Sequence, residues 1–164
     1  MSGNSDSKPV SSGRKKPFPF WILLFIMLFT ALGALVSGPM LFLAPDGHLM
    51  QWSPAMLAGT PFPNFLIPGI ILFLCIGVFP VVVSLSLLRV PRWQWVVRLN
   101  PTKRYHWALA AAGGSGIVTL VWIAVETAML GYISFLQPLI AAFGIAVIAL
   151  TLSPAIRRYY AVPA

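Results

Sequence analysis

An all-α fold, a four-helix transmembrane bundle with a partly ordered outer loop between helices one and two, is what this 164-residue sequence predicts, and three observations predict it. Hydrophobic residues make up 59% of the chain against 9% charged ones, and the mean hydropathy is +0.87, far above soluble globular usage. Four apolar runs are each about 20 residues or longer, the length a helix needs to cross a hydrocarbon core. All eleven Lys and Arg residues fall in three polar segments outside those runs. The apolar content excludes a disordered chain, and the single Cys75 excludes a disulfide scaffold.

Residues 1–17 are rich in Ser, Gly, Lys and Pro, with too few apolar side chains to offset the entropy of ordering, and read as a disordered basic tail. Residues 18–43 form the first span, uncharged throughout. A basic cluster before an apolar run also resembles a secretory signal, but this run exceeds the roughly 7 to 15 residues of a signal core, so an uncleaved anchor is expected. Residues 44–64 carry four prolines, Asp46 and His48, and no Lys or Arg. Pro45-Asp46-Gly47 signals a turn, and Ser53-Pro54 places a cap before a short helix that Gly59 can end, with Trp52, Met56 and Leu57 holding it at the membrane interface.

The second span covers about 65–88. Pro68 near its start is harmless, whereas Pro80 in its interior predicts a kink flanked by Gly69, Gly77 and Ser84. Residues 89–105 hold five basic residues with Trp93, Trp95 and Tyr105, the pattern of an interfacial loop. Spans three (106–130) and four (133–152) are separated by a Gly131-Tyr132 turn, and 153–164 is a second basic tail.

Counting cations gives four in the first tail, five in the 89–105 loop, two in the last tail and none in the other loops. Four crossings with both termini cytoplasmic is the topology that puts all eleven on one side, as in an integral protein of a bacterial inner membrane. The same rule accounts for the net charge of +8, so nucleic acid is not expected as a partner; the lipid bilayer is, with a protein partner or a second copy of the chain as further possibilities.

Within the spans the one carboxylate is Glu126, and an intramembrane charge marks a candidate site because burying it is costly. Ala108, Ala112, Ser115, Thr119, Trp122, Glu126 and Met129 follow one another at alternating four- and three-residue spacing, which sets them on one seam of helix three. Gln137, Ala141, Gly144, Ile148 and Thr151 do the same on helix four. Small and polar residues let helices approach closely, so Ala112, Ser115, Thr119 and Gly144 are expected at this contact, with Gly33 and Ser37 as a packing or association face on helix one. Folding at Gly131 brings Glu126 and Gln137 to one depth, about 8 Å below the turn, as hydrogen-bond partners. His48 and Asp46, two apart in the loop above, are expected first as a solvated Asp-Gly turn, and as the alternative they approach Glu126 and complete a candidate polar site.

No zinc, nucleotide or serine-hydrolase motif occurs, Cys75 lacks a redox partner and neither histidine lies mid-span, so no metal, cofactor or catalytic residue is expected.

The segments GTPFPNFLIPGIIL (59–72) and WIAVETAMLGYISFLQP (122–138) resemble the pattern of a family of small uncharacterised bacterial four-span integral membrane proteins, over about residues 20–152. The resemblance implies no activity; it places Pro61, Pro63 and Pro68 and the Glu126–Pro138 hairpin together on the outer face. Small multidrug transporters are similar in length and in having one membrane carboxylate, but theirs lies in the first helix, where this chain has none. The first functional expectation is a non-enzymatic structural or accessory component. The second is a small carrier or lipid-binding protein with an outer-facing pocket centred on Glu126. The third is a membrane enzyme acting on a lipid, which needs an acid/base pair.

Overall fold

A computed structural model of the chain describes residues 15–89 and 105–161. The expected disordered tail up to residue 14, the loop from 90 to 104 with Trp93 and Trp95, and the last three residues lie outside the described residues. Helix α1 is Phe18–Leu43, opening after an extended Pro17 with proline in its first turn, where a missing N–H costs nothing. Helix α2 is Leu66–Arg89, α3 is Trp107–Leu130, α4 is Leu136–Leu152 and the short α5 is Pro154–Tyr159. Three of these, α1 to α3, are long and apolar enough to cross a membrane, and α4 is a shorter apolar helix. The chain is therefore all-helical and an integral membrane protein.

Helix α2 answers its interior proline with a change of winding. Pro80 cannot donate to the carbonyl four residues back, and its ring crowds that carbonyl. Leu72–Val78 widen into π-helix, and the Phe79 N–H donates to Leu74 O, five residues behind. Helix α4 starts three residues later than the expected 133. Gly131, at φ +76°, takes the chain out of α3, and the turn continues through Phe135 before the helix forms. Seventeen residues rise about 25 Å, a little short of a hydrocarbon core of roughly 30 Å.

Helices α1 to α4 pack in a ring. Each touches its neighbour in the chain, and α1 closes the ring against α4. A central void of about 10 Å³ is lined by all four, from Met27 and Thr30 through Pro80, Ser115 and Thr119 to Phe143 and Val147. Ala112, Ser115, Thr119 and Gly144 are buried at the α3–α4 contact, where the hydroxyls of Ser115 and Thr119 donate to carbonyls of their own helix. The closest approach there involves a residue the seam omitted. A Cβ on Gly116 would lie 2.8 Å from Gly144 O.

On α1 the contact is displaced from the expected residues. Gly33 is exposed with nothing within 4 Å of a Cβ, and the Ser37 hydroxyl is turned back onto Gly33 O at 2.9 Å. Gly38 meets α2 instead: a Cβ there would lie 2.7 Å from the Cβ of Phe73, and one on Gly69 would lie 2.8 Å from both Leu41 Cβ and Phe42 N. Backbones this close leave no room for a methyl group.

The end of the bundle that holds both described termini is closed by the C-terminal segment, which folds back rather than trailing as a tail. Ser153 caps α5. The Tyr160 hydroxyl, wholly buried, donates to Leu87 O at 2.6 Å; the His106 N–H donates to Tyr160 O at 2.9 Å; and Tyr105 pairs with Ala161 in an antiparallel bridge. Lys16 Nζ donates to Leu88 O at 3.0 Å while lying 4.7 Å from the Phe20 ring centre. Both donors thus satisfy the free carbonyls that end α2, and the ammonium sits at that helix's negative pole. Burial lowers the Lys16 ammonium from its ordinary value and pushes the Tyr160 phenol far up.

Two outcomes follow from this packing. Gly38→Ala and Gly69→Ala should each lower stability in detergent by about 1–3 kcal/mol through overpacking, while Gly33→Ala leaves the unfolding midpoint unchanged or slightly raised. For Tyr160, the unfolded phenol ionises above about pH 10 while the folded one stays protonated, so stability is full below that pH and falls as pH rises past it. Alkaline thermal scans should show this loss in the native chain and a weaker one in Tyr160→Phe, which should also cost about 1–2 kcal/mol at neutral pH by orphaning Leu87 O.

Candidate functional site: an outer cleft between helices two and three

Helices α2 and α3 pack together along Phe79–Arg89, more thinly along Leu72–Val78 and hardly at all along Leu66–Ile71. They part where the winding of α2 changes. Between them, at the end away from the termini, is a cleft of about 290 Å³. One wall is Pro68, Ile71, Leu72, Cys75 and Ile76 of α2, and the other is Val118, Val121, Trp122, Val125, Glu126 and Met129 of α3, both at spacings of three and four that present one helix face. Ile71, Cys75, Val121 and Val125 are also exposed, so the cleft opens sideways, toward the surface that a bilayer would cover.

The loop between α1 and α2 roofs it. Gly47, at φ +80°, makes the turn that brings the Trp52 N–H to Gly47 O at 3.0 Å, and Phe65 N donates to Pro45 O at 2.9 Å, pinning the loop's two ends together. A Cβ on Gly47 would fall 2.5 Å from Trp52 O, so only glycine fits. Ser53 Oγ accepts from Ala55 N at the start of a single 3₁₀ turn, Pro54–Leu57, as the Ser-Pro signal predicts. Leu57, Phe65 and Leu41 are buried together under Trp52, Phe62 and Met56, and Trp52, Leu57, Phe62 and Phe65 all face the cleft.

Glu126 is the sole ionisable carboxyl in this lining. It is half-buried, and the Trp122 indole N–H, one helical turn back, donates to its Oε2 at 2.8 Å. Gln137 stands within reach of the carboxyl, and it also bonds to the turn that follows α3. Its Oε1 accepts from Ile133 N at 2.9 Å and its Nε2 donates to Gly131 O at 3.1 Å. A buried side chain, 4% exposed, thereby supplies the polar partners of a turn that has no helix to satisfy it.

His48 and Asp46 are not brought to the cleft. They form their own exposed pair, Nδ1 to Oδ1 at 2.7 Å, whose hydrogen bond holds the Asp46 carboxyl below the usual carboxylate range. The anticipated trio is thus two separate units. Among the described residues no group of three His, Cys, Asp or Glu side chains gathers to hold a metal ion. The cleft offers an acceptor carboxyl and an indole beside it, on an otherwise apolar surface. Sequence reasoning set Trp122 on the helix-contact seam; the four-residue spacing to Glu126 was the available signal of their bond, and Gly77 and Pro80 were the signal that α2 would part from α3.

Gln137→Leu should therefore destabilise the protein by about 1–3 kcal/mol, because it leaves two turn N–H groups and one carbonyl unpaired, and its effect should equal or exceed that of any single change at Glu126 in detergent unfolding.

No family model, curated protein or solved structure matches this chain.

Proposed function

We propose that the protein is a non-enzymatic integral component of a bacterial inner membrane, with four crossings and both termini cytoplasmic, that holds one single-chain amphiphile in its outer cleft with the head at Glu126. The observation that carries this reading is a sideways-open apolar cleft with one carboxyl in its wall. A molecule already dissolved in the bilayer reaches such an opening without crossing water. The volume, at the small end of ligand pockets of roughly 300–1,000 Å³, suits one chain rather than a two-chain phospholipid. The carboxyl selects a head that donates hydrogen bonds, a hydroxyl or an amine, since the Trp122 indole already serves one of its oxygens.

The orientation is supported by the distribution of charge. Lys15, Lys16, Arg89, Arg157 and Arg158 all belong to the closed end, by sequence position and by the contacts of Lys16 and α5, whereas Asp46, His48 and Glu126 belong to the other. Helix α4, flanked by its turn and by α5, reaches across a slightly thinned bilayer at modest cost.

A photoactivatable single-chain alcohol in reconstituted vesicles tests this. Cross-links should map to peptides from 66–76 and 118–130. Glu126→Leu should reduce labelling about tenfold with little loss of stability, and Glu126→Gln, which keeps the hydrogen-bonding shape, by less. Labelling spread evenly over all lipid-facing helix surfaces, or unchanged in Glu126→Leu, overturns the reading and returns the protein to an accessory, protein-binding role.

A further inference from the structure

The closed end carries a second cavity, of about 300 Å³, lined by Tyr105, Leu152, Pro154, Arg157, Arg158 and Ala161. Pro154, Arg157 and Arg158 recur at spacings of three and one, which sets them on one face of α5, and Ala161 joins them from the bridge to Tyr105. Arg157 is held in place from two sides: its guanidinium carbon lies 5.4 Å from the centre of the Tyr105 ring, and its Nε donates to Thr151 O at 3.4 Å. One of its five N–H donors is engaged there, and the other four make no bond to the described residues. Arg158 is exposed and makes no bond to the described residues. The one ion pair among the described residues is Asp46 with His48, at the opposite end of the bundle, so neither guanidinium pairs with a carboxylate of the described residues.

Two guanidiniums without a carboxylate partner among the described residues attract an anion, and beside a bilayer the phosphodiester of a phospholipid is the anion at hand. We infer that this corner is a binding site for the headgroup of an anionic phospholipid. Guanidinium forks match the two free phosphate oxygens in geometry and charge. The remaining walls distinguish a lipid from free phosphate: Leu152, 54% exposed, and Pro154 form an apolar flank on the side of α4, along which a glycerol and its chains descend into hydrocarbon. Tyr105 supplies the aromatic surface typical of headgroup depth. The site is separate from the outer cleft and does not depend on what occupies it. Basic pockets of this kind on the positive side of membrane proteins recognise acidic headgroups.

Purified full-length protein in neutral detergent is titrated with phosphatidylglycerol, with phosphatidylcholine and with inorganic phosphate, and binding is followed by thermal stabilisation and by retained lipid in native mass spectrometry. Phosphatidylglycerol should bind at least about tenfold tighter than phosphatidylcholine, and Arg158→Gln, whose side chain makes no internal bond, should weaken phosphatidylglycerol about fivefold without changing the lipid-free melting temperature. The double change Arg157→Gln/Arg158→Gln should abolish the preference. Equal binding of the two lipids to the native chain, or an unchanged preference in Arg158→Gln, overturns the site. Stabilisation by inorganic phosphate as large as that by phosphatidylglycerol overturns its assignment to lipid.

Discussion

A helix end buried beneath other side chains leaves its last carbonyls without water to bond, and the rest of this structure depends on how α2 meets that constraint. Leu87 O receives the Tyr160 hydroxyl and Leu88 O the Lys16 ammonium. These two bonds draw the start of α1 and the end of the chain to the same point. Tyr160 also accepts from His106 N through its carbonyl, which adds the start of α3. Phe20, Leu23, Val83, Leu87, Trp107, Ala108, Ile156 and Tyr160 then pack as one core around the bonded groups. The closed end is thus polar contacts sheathed in apolar side chains, each supporting the other.

Closure at one end sets the shape of the other. α1 and α2 are clamped by Gly38 and Gly69, and α3 and α4 by Gly116 and Gly144, so two rigid pairs form. What joins the pairs between α2 and α3 is the stretch from Phe79 to Arg89, below the wide turn that Pro80 imposes. Beyond that turn the helices part, and the loop that connects α1 to α2 fills the gap only from above. A proline that would be a defect in a tight bundle here separates a packed half of α2 from a half that lines a cleft.

The three membrane-length helices are legible because hydrocarbon thickness dictates run length and because charge is excluded from it; the bounds of α1 and α2 fall within a residue of those that hydropathy predicts. The turn between α3 and α4 was misplaced because the residues 133–135 are as apolar as a helix, and what keeps them out of one is the side chain of Gln137 bonded backward to Ile133 and Ser134. Composition carries no trace of such a bond. Arg157 and Arg158 mark the C-terminal segment as a basic tail by charge, while its short helix is announced by Ser153-Pro154, the same capping signature as Ser53-Pro54. Gly33 and Ser37 drew attention as small residues, yet Gly38 and Gly69 make the contact, since a small residue marks a helix interface only when the partner's identity is known. Glu126 was evident as the lone membrane carboxyl. Its cleft was not, because a cleft is a property of where two helices diverge.

The proposed native occupant of the cleft between α2 and α3 is an amphiphile. Native mass spectrometry of the tagged protein, released from its own membranes in mild detergent, reads this directly as mass added to each chain. One tightly retained single-chain amphiphile per chain is the expected result. A bare chain, or a stoichiometric protein partner in place of a lipid, would contradict it.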